Sequence, residues 1–345
     1  MMTPTDACTS PTEVRVGVSL SVTDIVLAAA TSASSEPRTY NLEAVDTDDP
    51  SDVLCAIGDA CSRLLADLAS APADIASVGI AVGGHVDSRN GRVVYAPSPL
   101  ILGSDWAGVS LADLAAEVLG CPVVVENDLN CMANYHRSLS GRGPDESLAV
   151  VYVPGDLRGV GCGIVVDGRI LRGAGGGAGE LGHVVIQPGG PRCRCGNRGC
   201  LEAMISLNSI LRTINYGDRH VATSLTDACH LAERGDRVAE IAFRRAGEML
   251  GQGLATLINL LNPATIIVGG PPELVASSST PAPSARWFRS GLESATAENS
   301  FSNLGSTCQI TFERLTSETA ALGAALLGGE LTTPAQNSSN ELARP

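Results

Sequence analysis

The chain has 345 residues, enough for two domains of ordinary size, each with its own core. With 37 acidic against 23 basic side chains, its formal charge of -14 repels a nucleic-acid backbone and argues against direct DNA or RNA binding. No run of about eighteen uncharged apolar residues predicts a membrane span, and MMTPTDACTSPT lacks the basic start and apolar core of a secretion signal, so a cytoplasmic location is expected.

Residues 1–12 are expected to be a disordered tail. From Glu13, VRVGVSLSVTDIVLAAA reads as two β-rich runs around a tight polar turn, a hairpin opening a sheet. Val53, Leu54, Ile57, Leu64, Leu65 and Leu68 then fall near helical spacing. The run SVGIAV predicts a strand, the stretch from Gly83 to Pro99 is rich in turn residues, and SLADLAAEVLG predicts a helix capped by Ser110 and stopped by Gly120. The strand PVVVE follows and ends at Asn127 and Asp128, completing an α/β lobe over 13–128. The second half repeats this grammar with LAVVYV, a glycine-rich turn, CGIVVDGRI, long helical segments and ATIIVGG, which closes on Gly269 and Gly270. A second α/β lobe is therefore expected over 129–329, with a cleft between the lobes. Residues 271–286 read as a surface loop, and 330–345 as a second disordered tail.

Three of the eleven cysteines crowd into CRCGNRGC, and the other eight are scattered singly and read as small buried hydrophobes. His183 precedes Cys193, Cys195 and Cys200, so one imidazole and three thiolates lie within eighteen residues, 183–200. A Cys₃His set is the ligand class of a closed tetrahedral zinc site. With four protein ligands no position stays open, so the expected zinc is structural. Gly189, Gly190, Gly196 and Gly199 let the backbone bend sharply enough to aim four ligands at one point.

The stretch GELGHVVIQPGGPRCRCGNRGCLE resembles the signature of the ROK family (repressor, open reading frame, kinase), which includes bacterial sugar kinases and sugar-responsive repressors. The resemblance extends from the first hairpin through VENDLN and LINLLNPATIIVGG to ETAALGAALLG. It implies an α/β, actin-like ATPase fold (ribonuclease H-like) of two lobes, with a hexose and a nucleotide meeting in the central cleft. It implies that Asp128 is the catalytic base that takes a proton from the phosphorylated hydroxyl. It further implies that Gly84, Asn127, Asp128, Glu180, His183 and Glu202 bind sugar, His183 using one ring nitrogen for zinc and the other for the ligand.

The same resemblance makes Gly159, Gly161, Gly269 and Gly270 nucleotide-binding positions, but the phosphate loops depart from the family pattern. Where actin-like kinases resemble D-x-G-G-T-K, this chain has Ser19-Leu20-Ser21-Val22-Thr23-Asp24, with no carboxylate for magnesium and an acid in place of lysine. Where they resemble G-T-G-x-G, it has Leu157-Arg158-Gly159-Val160-Gly161. The expected function is accordingly that of a hexose- or N-acetylhexosamine-binding protein like the sensing half of ROK repressors. The alternative is an ATP-dependent sugar kinase using ATP and Mg²⁺, and a platform without sugar affinity ranks third. Only about a dozen residues precede the first strand, too few for the repressors' winged helix, so DNA contact would fall to a partner. Family resemblance alone implies a homo-oligomer, a dimer or tetramer.

Overall fold

The computed structural model describes residues 13–21, 24–31, 37–42, 45, 49–68, 70, 75–95, 106–139, 146–154, 159–217, 220–275 and 283–332. Two compact units emerge, one formed by Met1–Asp128 with Ala320–Pro345, the other by Leu129–Thr319. Each has its own buried apolar cluster.

In the first unit the strands are β1 (Val14–Leu20), β2 (Ile25–Thr31), β3 (Arg38–Leu42), β4 (Ile75–Val82), β5 (His85–Asp87), β6 (Arg92–Tyr95) and β7 (Val123–Asn127). Five of them form one sheet in the order β3-β2-β1-β4-β7, antiparallel across the opening hairpin and parallel from β1 to β7. Both faces of β1 and β4 are covered, which is why these strands read as nearly continuous apolar runs. One cover is the helix Pro50–Asp67, entered at Asp49, whose carboxylate accepts from the Ser51 amide at 2.8 Å, with Pro50 at its first position. Its stripe of Val53, Leu54, Ile57, Leu64 and Leu65 joins the core. The helix Leu111–Leu119 ends on left-handed Gly120, as its sequence indicates, but Ser110 makes no side-chain cap. The Ser110 backbone bridges to Arg92 instead.

The other cover departs from expectation. The helix Ser317–Thr332 belongs from Ala320 onward to the first unit, so the lobe expected over 129–329 gives up its last helix. Its backbone lies directly on paired glycines of β1 and β4: a Cβ at Gly17 would fall 1.7 Å from the Ala321 carbonyl oxygen, and one at Gly79 only 1.9 Å from that of Ala324. The alanines and glycines of ETAALGAALLG suit this close seat. The helix runs to Thr332, into the stretch 330–345 expected as a tail, and residues 1–12 and 333–345 lie outside the described residues.

The second unit repeats the sheet pattern. Strands β8 (Leu148–Tyr152), β9 (Gly161–Val166), β10 (Arg169–Ile170), β11 (Thr265–Gly269) and β12 (Gln309–Glu313) are ordered β10-β9-β8-β11-β12, again antiparallel at first and then parallel. The 25-residue helix Arg237–Leu261 buries Phe243, Leu250 and Leu254 and packs on the helix Pro283–Asn299. The loop expected over 271–286 is shorter than that. Leu274 and Val275 are buried, and the helix has begun by Pro283.

Candidate metal centre and flanking carboxylates

In the second unit a one-turn 3₁₀ helix, Leu181–His183, precedes a loop that doubles back before the short helix Leu201–Ile205. Backbone pairing closes the loop: the Leu201 amide donates to the Val184 carbonyl at 2.9 Å, and the Cys193 amide to that of Asn197 at 2.9 Å. Gly199, at φ 75°, passes so near the other limb that a Cβ there would fall 1.6 Å from the Gln187 oxygen.

This fold of the loop gathers the ligand atoms of His183, Cys193, Cys195 and Cys200 to within 4.8 Å of one another. The His183 Nδ1 lies 3.6 Å from the Cys193 Sγ, and the Cys195 and Cys200 sulfurs are 3.7 Å apart. These separations match the edge, about 3.8 Å, of a tetrahedron with thiolate bonds of about 2.3 Å, and exceed the roughly 2.05 Å of a disulfide. Desolvation, then the neighbouring thiols, push the Cys200 thiol up to about 12. Burial likewise raises Cys193, whereas a hydrogen bond from the Asn197 amide lowers Cys195. Thiols packed this closely ionise together only around a cation, so the donor set fits a four-coordinate metal ion.

Two predicted carboxylates flank the cluster. Glu180 places an oxygen 3.8 Å from the His183 Nε2, the ring nitrogen opposite the one facing the thiols, and its side chain is 56% exposed. Glu202, in the first turn of the Leu201–Ile205 helix, is 7% exposed and has Oε1 3.9 Å from the Cys193 sulfur. Its carboxylate accepts a fork from Arg194, Nε to Oε1 at 3.0 Å and Nη2 to Oε2 at 3.3 Å. Nothing in the spacing of CRCGNRGC marks Arg194 as a partner of Glu202, because the pair closes only where the loop doubles back.

Of the predicted nucleotide-side glycines, Gly159 adjoins this pair: a Cβ there would stand 3.7 Å from the Arg194 Nη2 and 4.0 Å from the Glu202 Oε2. The others have packing partners, Gly161 against Leu129, Gly269 against Leu315 and Gly270 against the Val153 backbone. Leu157 and Arg158 lie outside the described residues.

In the first unit, register aligns Leu20 with Val82 and Val82 with Asn127, so the hairpin turn, Gly83-Gly84 and Asn127-Asp128 share the carboxyl end of three parallel strands. That is the edge where open α/β sheets bind ligands. The Asn127 Nδ2 donates to the Gly84 carbonyl at 2.9 Å. Asp128 opens the helix Asp128–Leu139 with Oδ2 3.5 Å from where a Gly83 Cβ would be. Beneath them Glu126, 3% exposed, accepts from the Ser88 hydroxyl at 2.8 Å and the Asn127 amide at 2.9 Å, a support absent from the sequence reading. Ser19 is buried in β1, and Ser21 and Asp24 close the turn on each other, the Asp24 amide donating to the Ser21 hydroxyl at 3.1 Å while that hydroxyl donates to the Asp24 carboxylate. Val22 and Thr23 lie outside the described residues.

A glucokinase of Thermotoga maritima is 37% identical over 207 residues, 56% of this chain and 63% of its own length. A xylose repressor of Bacillus spizizenii is 29% identical over 229 residues, 66% of this chain and 56% of the repressor. The chain thus spans less than two thirds of either relative. A ROK hexokinase from Thermus thermophilus, known from its crystal structure, superposes with a TM-score of 0.74 at 26% identity, covering 92% of this chain and 99% of the hexokinase. The fold is therefore the actin-like one of these kinases. No helix among the described residues is long and apolar enough to cross a membrane. The ROK family signature matches residues 15–329, which takes in both sheets, the cysteine loop and the returning helix, and the chain belongs to the ROK family.

Proposed function

We propose that this chain binds a free hexose or N-acetylhexosamine and serves as a sugar sensor, with a structural zinc ion shaping the pocket. The observation that carries this reading is the four-ligand cluster with Glu180 and Glu202 on its flanks and His183 turning one ring nitrogen to each side. Three thiolates and an imidazole favour zinc over harder cations, and a closed tetrahedral set assigns it a structural role. A hexose presents a ring of hydroxyls, and anchored carboxylates and amides are the acceptors and donors that fix its orientation. Glu180, His183 and Glu202 are the contacts proposed for the second unit; Gly84, Asn127 and Asp128, at the sheet end of the first unit, are proposed separately as sugar ligands.

Sensing is favoured over turnover by the first turn. Ser19 is buried and carries no carboxylate, and Asp24 is engaged by Ser21, so the described residues there do not fit a magnesium-bound triphosphate. A kinase is the second reading. Asp128, at the strand end beside Gly83, supports it, since a carboxylate there could orient a sugar hydroxyl and accept its proton. The net charge of -14 favours leaving any DNA contact to a partner, and self-association belongs to the same proposal.

Calorimetric titration with glucose, N-acetylglucosamine, N-acetylmannosamine and fructose, paired with a coupled ADP-release assay, tests both readings. Binding without turnover supports the sensor. Turnover of about 1 per second or more, within the ordinary kinase range, establishes the enzyme in its place. No binding of any sugar refutes both.

A further inference from the structure

Glu202 stands where a carboxylate is costly. It is 7% exposed, so water screens it poorly, and its Oε1 is 3.9 Å from the Cys193 sulfur. With zinc in place, one dication and three thiolates leave the knot net negative, and that charge repels a second anion so close by. Arg194 offsets the repulsion through its two-point fork onto Glu202. Its position in the chain matters as much as its charge: Arg194 lies between two candidate metal ligands, Cys193 and Cys195, so its backbone would be anchored on both sides when these hold an ion. Glu202 follows the last ligand, Cys200, by two residues at the start of a helix. The guanidinium also lies against Gly159, where the absence of a side chain leaves it room.

We propose that Arg194 is a positioning residue, a charge clamp that holds the Glu202 carboxylate beside the zinc thiolates, so that metal retention and the set of Glu202 both depend on the side chain between the first two cysteines. The part concerning sugar rests on the sugar-binding reading above; the part concerning the metal does not. Two consequences separate a clamp from a merely structural arginine. Without Arg194, the unpaired Glu202 should loosen zinc, and neutralising Glu202 should restore it. The arginine should also influence sugar only through Glu202.

The test is a double-mutant cycle on the zinc-loaded full chain with Arg194→Ala, Glu202→Gln and both together, read by chelator-driven zinc release and by sugar titration. Arg194→Ala should release zinc about tenfold faster, the scale of a lost charge-assisted pair, and the double variant should return close to the wild-type rate. Sugar affinity should fall about tenfold in Arg194→Ala, and Arg194→Ala should add no further loss in the Glu202→Gln background. Wild-type zinc release in Arg194→Ala, or losses that simply add in the double variant, overturns the clamp. Should Arg194→Ala fail to fold, recovery of folding by Glu202→Gln supports the same coupling, and absence of recovery overturns it. If the wild-type chain binds none of the sugars, the sensor reading fails while the zinc-release cycle still decides the clamp.

Discussion

Gly199 and Gly189 make a matched pair for testing how the loop builds its metal site. Both have left-handed backbones, at φ 75° and 76°, so alanine at either position costs about 1 to 2 kcal/mol in conformational strain. Only Gly199 adds a collision. A Cβ at Gly189 meets nothing within 4 Å, whereas one at Gly199 falls 1.6 Å from the Gln187 carbonyl oxygen. Relieving that contact means moving the limbs apart by about 1.8 Å, to the 3.4 Å at which ordinary contact begins. The movement breaks the hydrogen bonds from the Ile186 and Gln187 amides to the Gly199 oxygen, now 2.9 and 3.1 Å, at about 1 kcal/mol each. Gly199→Ala should therefore lose about 3 to 4 kcal/mol and displace Cys200, the adjacent ligand. Zinc per chain by mass spectrometry, with thermal unfolding before and after chelation, measures both effects. Gly189→Ala should keep its metal and show only the strain cost. Equal metal content and equal stability loss in the two variants would refute the proposed crossing of the loop limbs.

Glu180→Ala, Asn127→Ala and Glu202→Ala should each weaken hexose binding by about 1 to 3 kcal/mol in calorimetry, the scale of leaving buried polar partners unpaired; unchanged affinity in all three means the sugar binds elsewhere. Gly79→Ala should destabilise the first unit by about 3 kcal/mol in urea titration, because its Cβ meets the Ala324 carbonyl oxygen at 1.9 Å, and an unchanged midpoint contradicts the direct seating of the helix on the sheet. Burial pushes Cys61 and Cys162 up to about 12 and Cys308 to about 11, against an ordinary thiol value of 9.0. The folded chain then holds protons that the unfolded chain gives up above pH 9, so these groups contribute stability fully below 9 and lose it as the pH rises through 11 to 12. No lysine is present to titrate in that window, and urea midpoints that stay level or rise from pH 8 to 11 would count against this linkage.

What the sequence determined by itself lies in local spacing. The candidate ligands His183, Cys193, Cys195 and Cys200 come from one loop, and their residue types define the donor set before any folding is known. The parallel and hairpin strands also show in the sequence, because runs such as VGIAV must be buried on both faces. Tertiary structure alone decided what depends on contacts distant in sequence. The helix Ser317–Thr332 returns to the first unit because Gly17 and Gly79 leave a seat for its backbone, and no spacing within ETAALGAALLG encodes which sheet offers that seat. The register that brings Leu20, Val82 and Asn127 to one sheet end is likewise set by pairing among strands separated by helices. The Arg194–Glu202 fork spans only eight residues, yet it needs the loop to double back first. Pattern along a chain reports which faces are apolar and which side chains could hold a metal, while the pairing of one charge with another depends on a backbone path that only the packed structure supplies.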